Sequence, residues 1–445
     1  MPYGMARKSG ETFTKRLRIF EHYRERVKWY KNHCLGSINQ FTMISEEGIL
    51  NISTKLLPKE EMLATSNKKS ILKIGLLAEN MEDETRVCLA PESVGLLVDN
   101  GLRVLVQSKA GIKAGYTDME YADQGGIIST SKEVLQCDFL LKVSPLSLQE
   151  RESLNKNQVL LTSLQELQQD RDYFTSLVDK KATAIAFEQI KDNTNSYPII
   201  RSMGEIVGTT GIQIAAYYLA HPIYGCGSML GGIPGVCPTE IVIIGAGTVG
   251  EFAAKAAIGM GAQIKVFDNS IYRLRRLQNN LKQNIFTSTL QPQTLLEAMK
   301  KAHVVVGALR QSTESSSPKI PTHFTESMKQ GSLILDVSID EGGSFESSHL
   351  TTHKDPVYQL NGITHYCVPN IASKVPFTAS NALSNFFTPL LLEISATGGI
   401  TNYLKNSPGL RHGVYAYNGI ITKQKIGATF GFNYRDIDLL LAVLH

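Results

Sequence analysis

The sequence predicts an α/β fold: two doubly wound domains built on parallel sheets, behind a short N-terminal extension. Short Val/Ile/Leu-rich runs alternate with segments of helical period along the chain. The runs fall into two series, and such near-continuous apolar strands belong to sheets covered on both faces. The first series is ILKIGLL from Ile71, LRVLVQ from Leu102, CDFLLKV from Cys137, QVLLT from Gln158 and TAIAFE from Thr183. The second is EIVIIG from Glu240, QIKVFD from Gln263, HVVVGAL from His303, SLILDV from Ser332 and THYCV from Thr364. Residues 1–70 are polar, basic and weakly patterned, and read as an extension dispensable for fold and activity, with Met43 as an internal start.

Composition bounds the function. A chain of 445 residues with 42% hydrophobic and 19% charged residues has the balance of a globular protein of two or three domains. A net charge of +4 is too small to argue for nucleic acid or a membrane surface as partner. The six cysteines include no CxxC pair, which favours free thiols in a reducing compartment over a disulfide frame or a metal site. The longest uncharged stretch, 206–239, is broken by Gln213, His221, Pro222, Pro234 and several glycines, so it reads as no membrane span. No apolar segment follows the basic start as in a secretory signal. The reading is a cytoplasmic protein.

The densest chemistry lies in IVIIGAGTVGEFAAKAAIGMGAQIKVFDN, from Ile241 to Asn269. Gly245, Gly247 and Gly250 fit G-x-G-x-x-G, with Ala246, Thr248 and Val249 between them, after a predicted strand and before an Ala-rich helix. The first glycine permits the tight turn, the second lets backbone approach a pyrophosphate, and the third allows helix and strand to pack closely. Asp268 ends the next strand, where a carboxylate can bond ribose hydroxyls and repel a 2′-phosphate. Strand, turn, helix and acid in register predict NAD as cofactor. Arg273, Arg275 and Arg276 follow; a solvated basic helix face accounts best for the last two.

A second cluster belongs to the first sheet. Arg86 falls in the loop after the first strand, and Lys142 at the carboxyl end of another, where open α/β sheets bind ligands. Such a cationic pair beside a nicotinamide suits a small carboxylate, the guanidinium giving a two-pronged contact.

RVCLAPESVGLLVDNGLRVLVQSKAGIKAGYTDMEYADQG, RSMGEIVG, GAGTVGEFAAKAAIGMGAQIKVFD, LDVSIDEGG and THYCVPNIASKVPFTASNAL together resemble the alanine dehydrogenase and pyridine nucleotide transhydrogenase family, from Lys73 to the C-terminus. The RQD loop of the transhydrogenase branch is not found near RSMGEIVG, which favours the dehydrogenase branch. The resemblance implies two Rossmann-like domains: residues 71–198 with 376–445 for substrate, and 199–375 for NAD. It also implies a homo-hexamer. Arg86 and Lys142 match the cations that contact the substrate carboxylate and carbonyl, Asp340 the aspartate near the nicotinamide, and Asn370 the asparagine lining the same cleft. Gly245 to Gly250, Asp268 and Arg273 match the NAD site, and Ala308 and Leu309 a strand end beneath the cofactor.

Two positions depart from the family pattern. Gln165 occupies the slot of the family's acid–base histidine, and an amide exchanges no proton near neutral pH. Gly204 replaces a serine beside the cofactor. The leading expectation is oxidative deamination of L-alanine to pyruvate, with either Lys142 or Asp340 taking the proton work, Lys142 indispensable and Gln165 only assisting. A dehydrogenase of another small amino or keto acid, a transhydrogenase-like module and a catalytically silent NAD-binding protein stay open as alternatives.

Overall fold

The computed structural model describes residues 72–80, 82–309 and 319–442. The predicted extension and Met43 lie outside them. The first sheet has eight strands in the order β15-β14-β6-β5-β4-β1-β2-β3. They are β1 (Lys73–Leu76), β2 (Arg103–Gln107), β3 (Ile127–Ser129), β4 (Phe139–Leu141), β5 (Val159–Thr162), β6 (Thr183–Ala186), β14 (Val414–Tyr417) and β15 (Ile420–Ile421). The second sheet runs β12-β13-β11-β10-β7-β8-β9. Its members are β7 (Glu240–Ile244), β8 (Gln263–Phe267), β9 (Phe286–Ser288), β10 (Val304–Gly307), β11 (Leu333–Asp336), β12 (Val357–Leu360) and β13 (Ile363–Tyr366). Pairing is parallel except where β14 joins β6 and β15, and where β12 joins β13.

Both sheets are apolar on both faces, as their uninterrupted Val/Ile/Leu runs require. Phe139 and Leu141 enter one core and Leu140 the opposite one. In the second sheet Ile241 and Ile243 separate in the same way from Val242 and Ile244. The five described cysteines are free thiols. No helix among the described residues is long and apolar enough to cross a membrane.

Two long helices, Pro198–Ala220 and Pro376–Ala396, connect the sheets, each opened by a proline at its first turn. The first packs backbone to backbone on helix Thr248–Gly259: a Cβ on Gly208 would stand 2.4 Å from the Val249 carbonyl oxygen. The second contributes Leu383, Phe387 and Leu391 to the first sheet's core.

In each sheet the strand order reverses beside its first strand. The chain runs β1-β2-β3 to one side, then returns through β4 on the other; β7 and β10 repeat the device. Such switch points leave a crevice at the carboxyl ends of the strands, which is where α/β sheets bind ligands.

Candidate active site

At the second switch point stands the glycine turn. Gly245 has φ of 112°, open to glycine and strained for other residues. A Cβ there would also lie 2.3 Å from the Ala308 carbonyl oxygen, so the end of β10 runs directly against the turn. Gly247 is the N-cap of helix Thr248–Gly259, with no side chain capping it, and a Cβ on it would meet nothing within 4 Å. Open space at an uncapped helix N-terminus is the cradle a pyrophosphate needs, and the residues present fit a dinucleotide.

Asp268 is buried and braces this turn: Oδ2 accepts from Ala246 N at 2.8 Å and Oδ1 from Ser270 N at 2.7 Å. Arg273 Nη1 approaches Oδ2 at 3.6 Å. Arg276 corrects the sequence reading of a purely solvated side chain. Its Nη2 donates to the Ala246 carbonyl at 3.4 Å, and its Nε lies 4.0 Å from Glu251, so it reaches the turn itself. Leu309 is buried, while Ala308 is partly exposed at the rim. Gly204 faces the first turn of the same helix, where a Cβ would sit 3.4 Å from Val249 Cγ2. Asp268→Ala is expected to weaken NAD(H) while narrowing its margin over NADP(H); calorimetric titration with both cofactors checks this, and an unchanged margin counts against Asp268 as the selector.

At the first switch point the cationic pair is only half as expected. Arg86 is held in a fork: Nε and Nη2 donate to Glu84 at 2.8 and 2.7 Å, and Nη1 lies 3.5 Å from Met203 Sδ. The Nη1 side thus remains for a carboxylate. Glu84 also accepts from Ser373 Oγ and Asn370 Nδ2, both at 3.0 Å, so the asparagine after β13 ties the two sheets together at the cleft. Burial alone would raise Glu84; the Arg86 guanidinium and these bonds outweigh it and hold the carboxyl below its usual range. Asn370 sits in the left-handed region, φ 54°, which directs its amide to Glu84 and Ser373.

Lys142 differs from expectation. Its ammonium is buried, with a side-chain exposure of 1%, and donates to both oxygens of Glu150 at 2.9 and 2.8 Å. The charge is closed off inside the sheet edge by a carboxylate that also caps helix Leu148–Glu152, accepting from Ser147 N. It is therefore not a cation open to solvent at the cleft. Gln165 follows β5 with φ of 46°, partly buried, on a turn held from below by Glu188, whose Oε1 accepts from Leu164 N at 2.8 Å. Asp340 lies in the short turn Ile339–Glu341 after β11 and is exposed. Sequence reasoning missed Glu79, Glu84, Glu150, Glu188 and Ser373. The E-x-R spacing of Glu84 and Arg86 and the S-x-x-E capping box of Ser147 and Glu150 were local signals for two of them.

The family Alanine dehydrogenase/PNT, N-terminal domain, matches residues 75–207, and its C-terminal domain matches residues 211–424. The chain belongs to the alanine dehydrogenase/PNT family. It is 34% identical over 363 residues to alanine dehydrogenase of Bacillus subtilis, covering 81% of this chain and 95% of that one. Against alanine dehydrogenase of Methanococcus maripaludis the identity is 35% over 364 residues, with 81% and 97% covered. A solved L-alanine dehydrogenase superposes with a TM-score of 0.75 at 31% identity, over 81% of this chain and 99% of that one. A transhydrogenase from Sinorhizobium meliloti, at a TM-score of 0.67 and 19% identity over 79% of this chain and 99% of that one, shares the fold.

Proposed function

We propose that this chain is an NAD-dependent dehydrogenase converting L-alanine, NAD and water into pyruvate, ammonium and NADH, reversibly. The observation that carries the reading is the Arg86 fork at one switch point, joined through Glu84 and Asn370 to the sheet that bears the glycine turn. Arg86 binds the substrate carboxylate through Nη1, and Glu84 fixes the guanidinium plane. Asn370 holds the cleft's far wall, and Asp340 is the aspartate taken to stand near the nicotinamide when the dinucleotide is bound. The dinucleotide, when bound, supplies the hydride acceptor. Orientation between two rigid sheet edges provides the proximity that hydride transfer needs. The same reading takes the protein as a cytoplasmic homo-oligomer, a hexamer by family resemblance; light scattering in solution tests the oligomer.

NADH formation from L-alanine, compared with other small amino acids, tests the function. A chain that binds NAD and reduces it with none of them is a binding module, the reading favoured by Gln165 and the closed Lys142 pair. The convergence of Arg86 and Asn370 on the Glu84 carboxylate weighs against that alternative. Gln165→Ala is expected to cost less than the roughly 10²–10⁴-fold of a lost acid–base group. Gln165→His should move the pH profile toward the imidazole range, about 6.5. Initial rates across the neutral range check both, and an unmoved profile in Gln165→His removes residue 165 from the reacting carbon.

A further inference from the structure

The cleft described so far binds a carboxylate and a dinucleotide but assigns no group to move protons. The carboxyl ends of β1 and β4 lie side by side at the first switch point, and Glu79, just past β1, bridges them. Its Oε1 accepts from Val143 N at 2.7 Å, and its Oε2 from Ser144 N at 3.2 Å and from Ser144 Oγ. The neighbouring carboxylates are committed. Glu84 is buried against Arg86, Ser373 and Asn370, and Glu150 against Lys142 and Ser147 N. Among the described residues Glu79 bonds the β4 end alone, and it keeps partial exposure. We propose that Glu79 is the acid–base group of this cleft, oriented by the Ser144 hydroxyl, and that it takes a proton from the attacking water and passes it to the substrate nitrogen. The proposal rests on the dehydrogenase reading above.

The electrostatics suit the task. Burial, and after it the Glu84 carboxylate, push Glu79 up to about 7, against the pull of the Ser144 hydroxyl, the Lys142 ammonium and the Val143 N–H. Arg86 and the buried Cys88 thiol share the same field. A group poised near the working pH exchanges protons most effectively in both directions. In the step assigned here, hydride has already left Cα for the nicotinamide ring, and the substrate is an iminium ion. Water adds to the C=N carbon as the π pair moves to nitrogen, and the water's proton passes to the Glu79 carboxylate. The carboxyl returns that proton to the nitrogen. The C–N bond then breaks, ammonia leaves with the bonding pair, and C=O forms as the hydroxyl releases its proton to solvent.

His353 is the rival from the second sheet. Its ring bonds the Asn370 backbone, its Nε2 is buried without a partner, and Asp83, Glu84 and Lys374 surround it. The test measures kcat/KM for L-alanine against pH in the full chain and in Glu79→Gln, Glu79→Asp and His353→Asn. The wild-type rate should climb through about pH 7, since the base form is required. Glu79→Gln should lose that limb with a fall of about 10²–10⁴-fold, Glu79→Asp should keep it, and NAD titration should be unchanged throughout. A limb that survives Glu79→Gln, or that vanishes in His353→Asn instead, overturns the assignment.

A second readout needs no turnover. The folded carboxyl, at about 7, keeps its proton where the unfolded one, at 4.5, has released it. Its contribution to stability is therefore present below the unfolded value and lost as pH rises through the folded one. The thermal midpoint of Glu79→Gln should gain on the wild type between pH 5 and pH 8, and an equal offset at both counts against the proposal. Should Glu79→Gln not fold, Ser144→Ala keeps the carboxyl but removes a bond that lowers its pKa, so the limb must move to higher pH; an unmoved limb overturns the proposal. Wild-type inactivity on every small amino acid defeats the dehydrogenase reading, while the stability comparison still reads the titration of Glu79.

Discussion

Lys142→Met is expected to lower the unfolding free energy by about 3–5 kcal/mol, and Lys142→Met combined with Glu150→Leu to recover most of that loss. Both side chains lie out of water, at 1% and 8% exposure, with the ammonium donating to both carboxylate oxygens. Removing the lysine leaves a desolvated carboxylate whose remaining partner among the described residues is the Ser147 N–H. Replacing both ends removes the charge that must otherwise be paid for in desolvation. Denaturant midpoints of the three proteins check this; a single variant as stable as wild type defeats it. The double variant also bears on function. If it folds and still turns over substrate, the ammonium serves the sheet edge alone; if it folds and turns over nothing, the carbonyl contact implied by family resemblance is real.

What could be read from the chain depended on whether the signal was local. The ten predicted strands all appear, because buried parallel strands are written as unbroken apolar runs. β3, β9 and β12 escaped, being three- or four-residue edge strands with exposed or half-exposed patterns. β14 and β15 escaped for a different reason: they form an antiparallel hairpin that returns to the first sheet from beyond residue 410, and its turn is Asn418-Gly419, both at positive φ. That dipeptide is a strong hairpin signal between apolar runs and could have been used. The dinucleotide turn was legible because strand, glycines, helix and Asp268 occupy one unbroken stretch. The proton-handling cleft was not, since Glu79 meets Ser144 from 65 positions away and Glu84 meets Asn370 from 286. A carboxylate in a loop gives no periodicity, and its role emerges only when two strand ends come together. Lys142 shows the converse: the sequence placed it correctly at a strand end but could not show that Glu150 folds back over it.

Gly247→Ala and Gly250→Ala are expected to damage the same turn in opposite ways. Gly247 has φ of −73° and open space where a Cβ would stand, so alanine fits the unliganded chain without strain. Restricting the unfolded chain should then raise stability by about 0.4–1 kcal/mol. The methyl group projects into the space that the pyrophosphate must enter, so NAD affinity should fall by about tenfold or more, roughly 1.4 kcal/mol. At Gly250 a Cβ would lie 1.8 Å from the Gly245 carbonyl oxygen. The clash is with the Gly245 backbone, which offers no flexible end to yield, and the turn must open. Overpacking of this kind costs about 1–3 kcal/mol or more, and it should remove the N-terminal cradle as well. Melting curves and NAD titrations of the two variants separate the cases. The discriminating result is Gly247→Ala, stable yet poor at binding, because only a ligand approaching the backbone at that position makes an unstrained methyl group harmful. Full NAD affinity in that variant would move the dinucleotide away from the helix N-terminus.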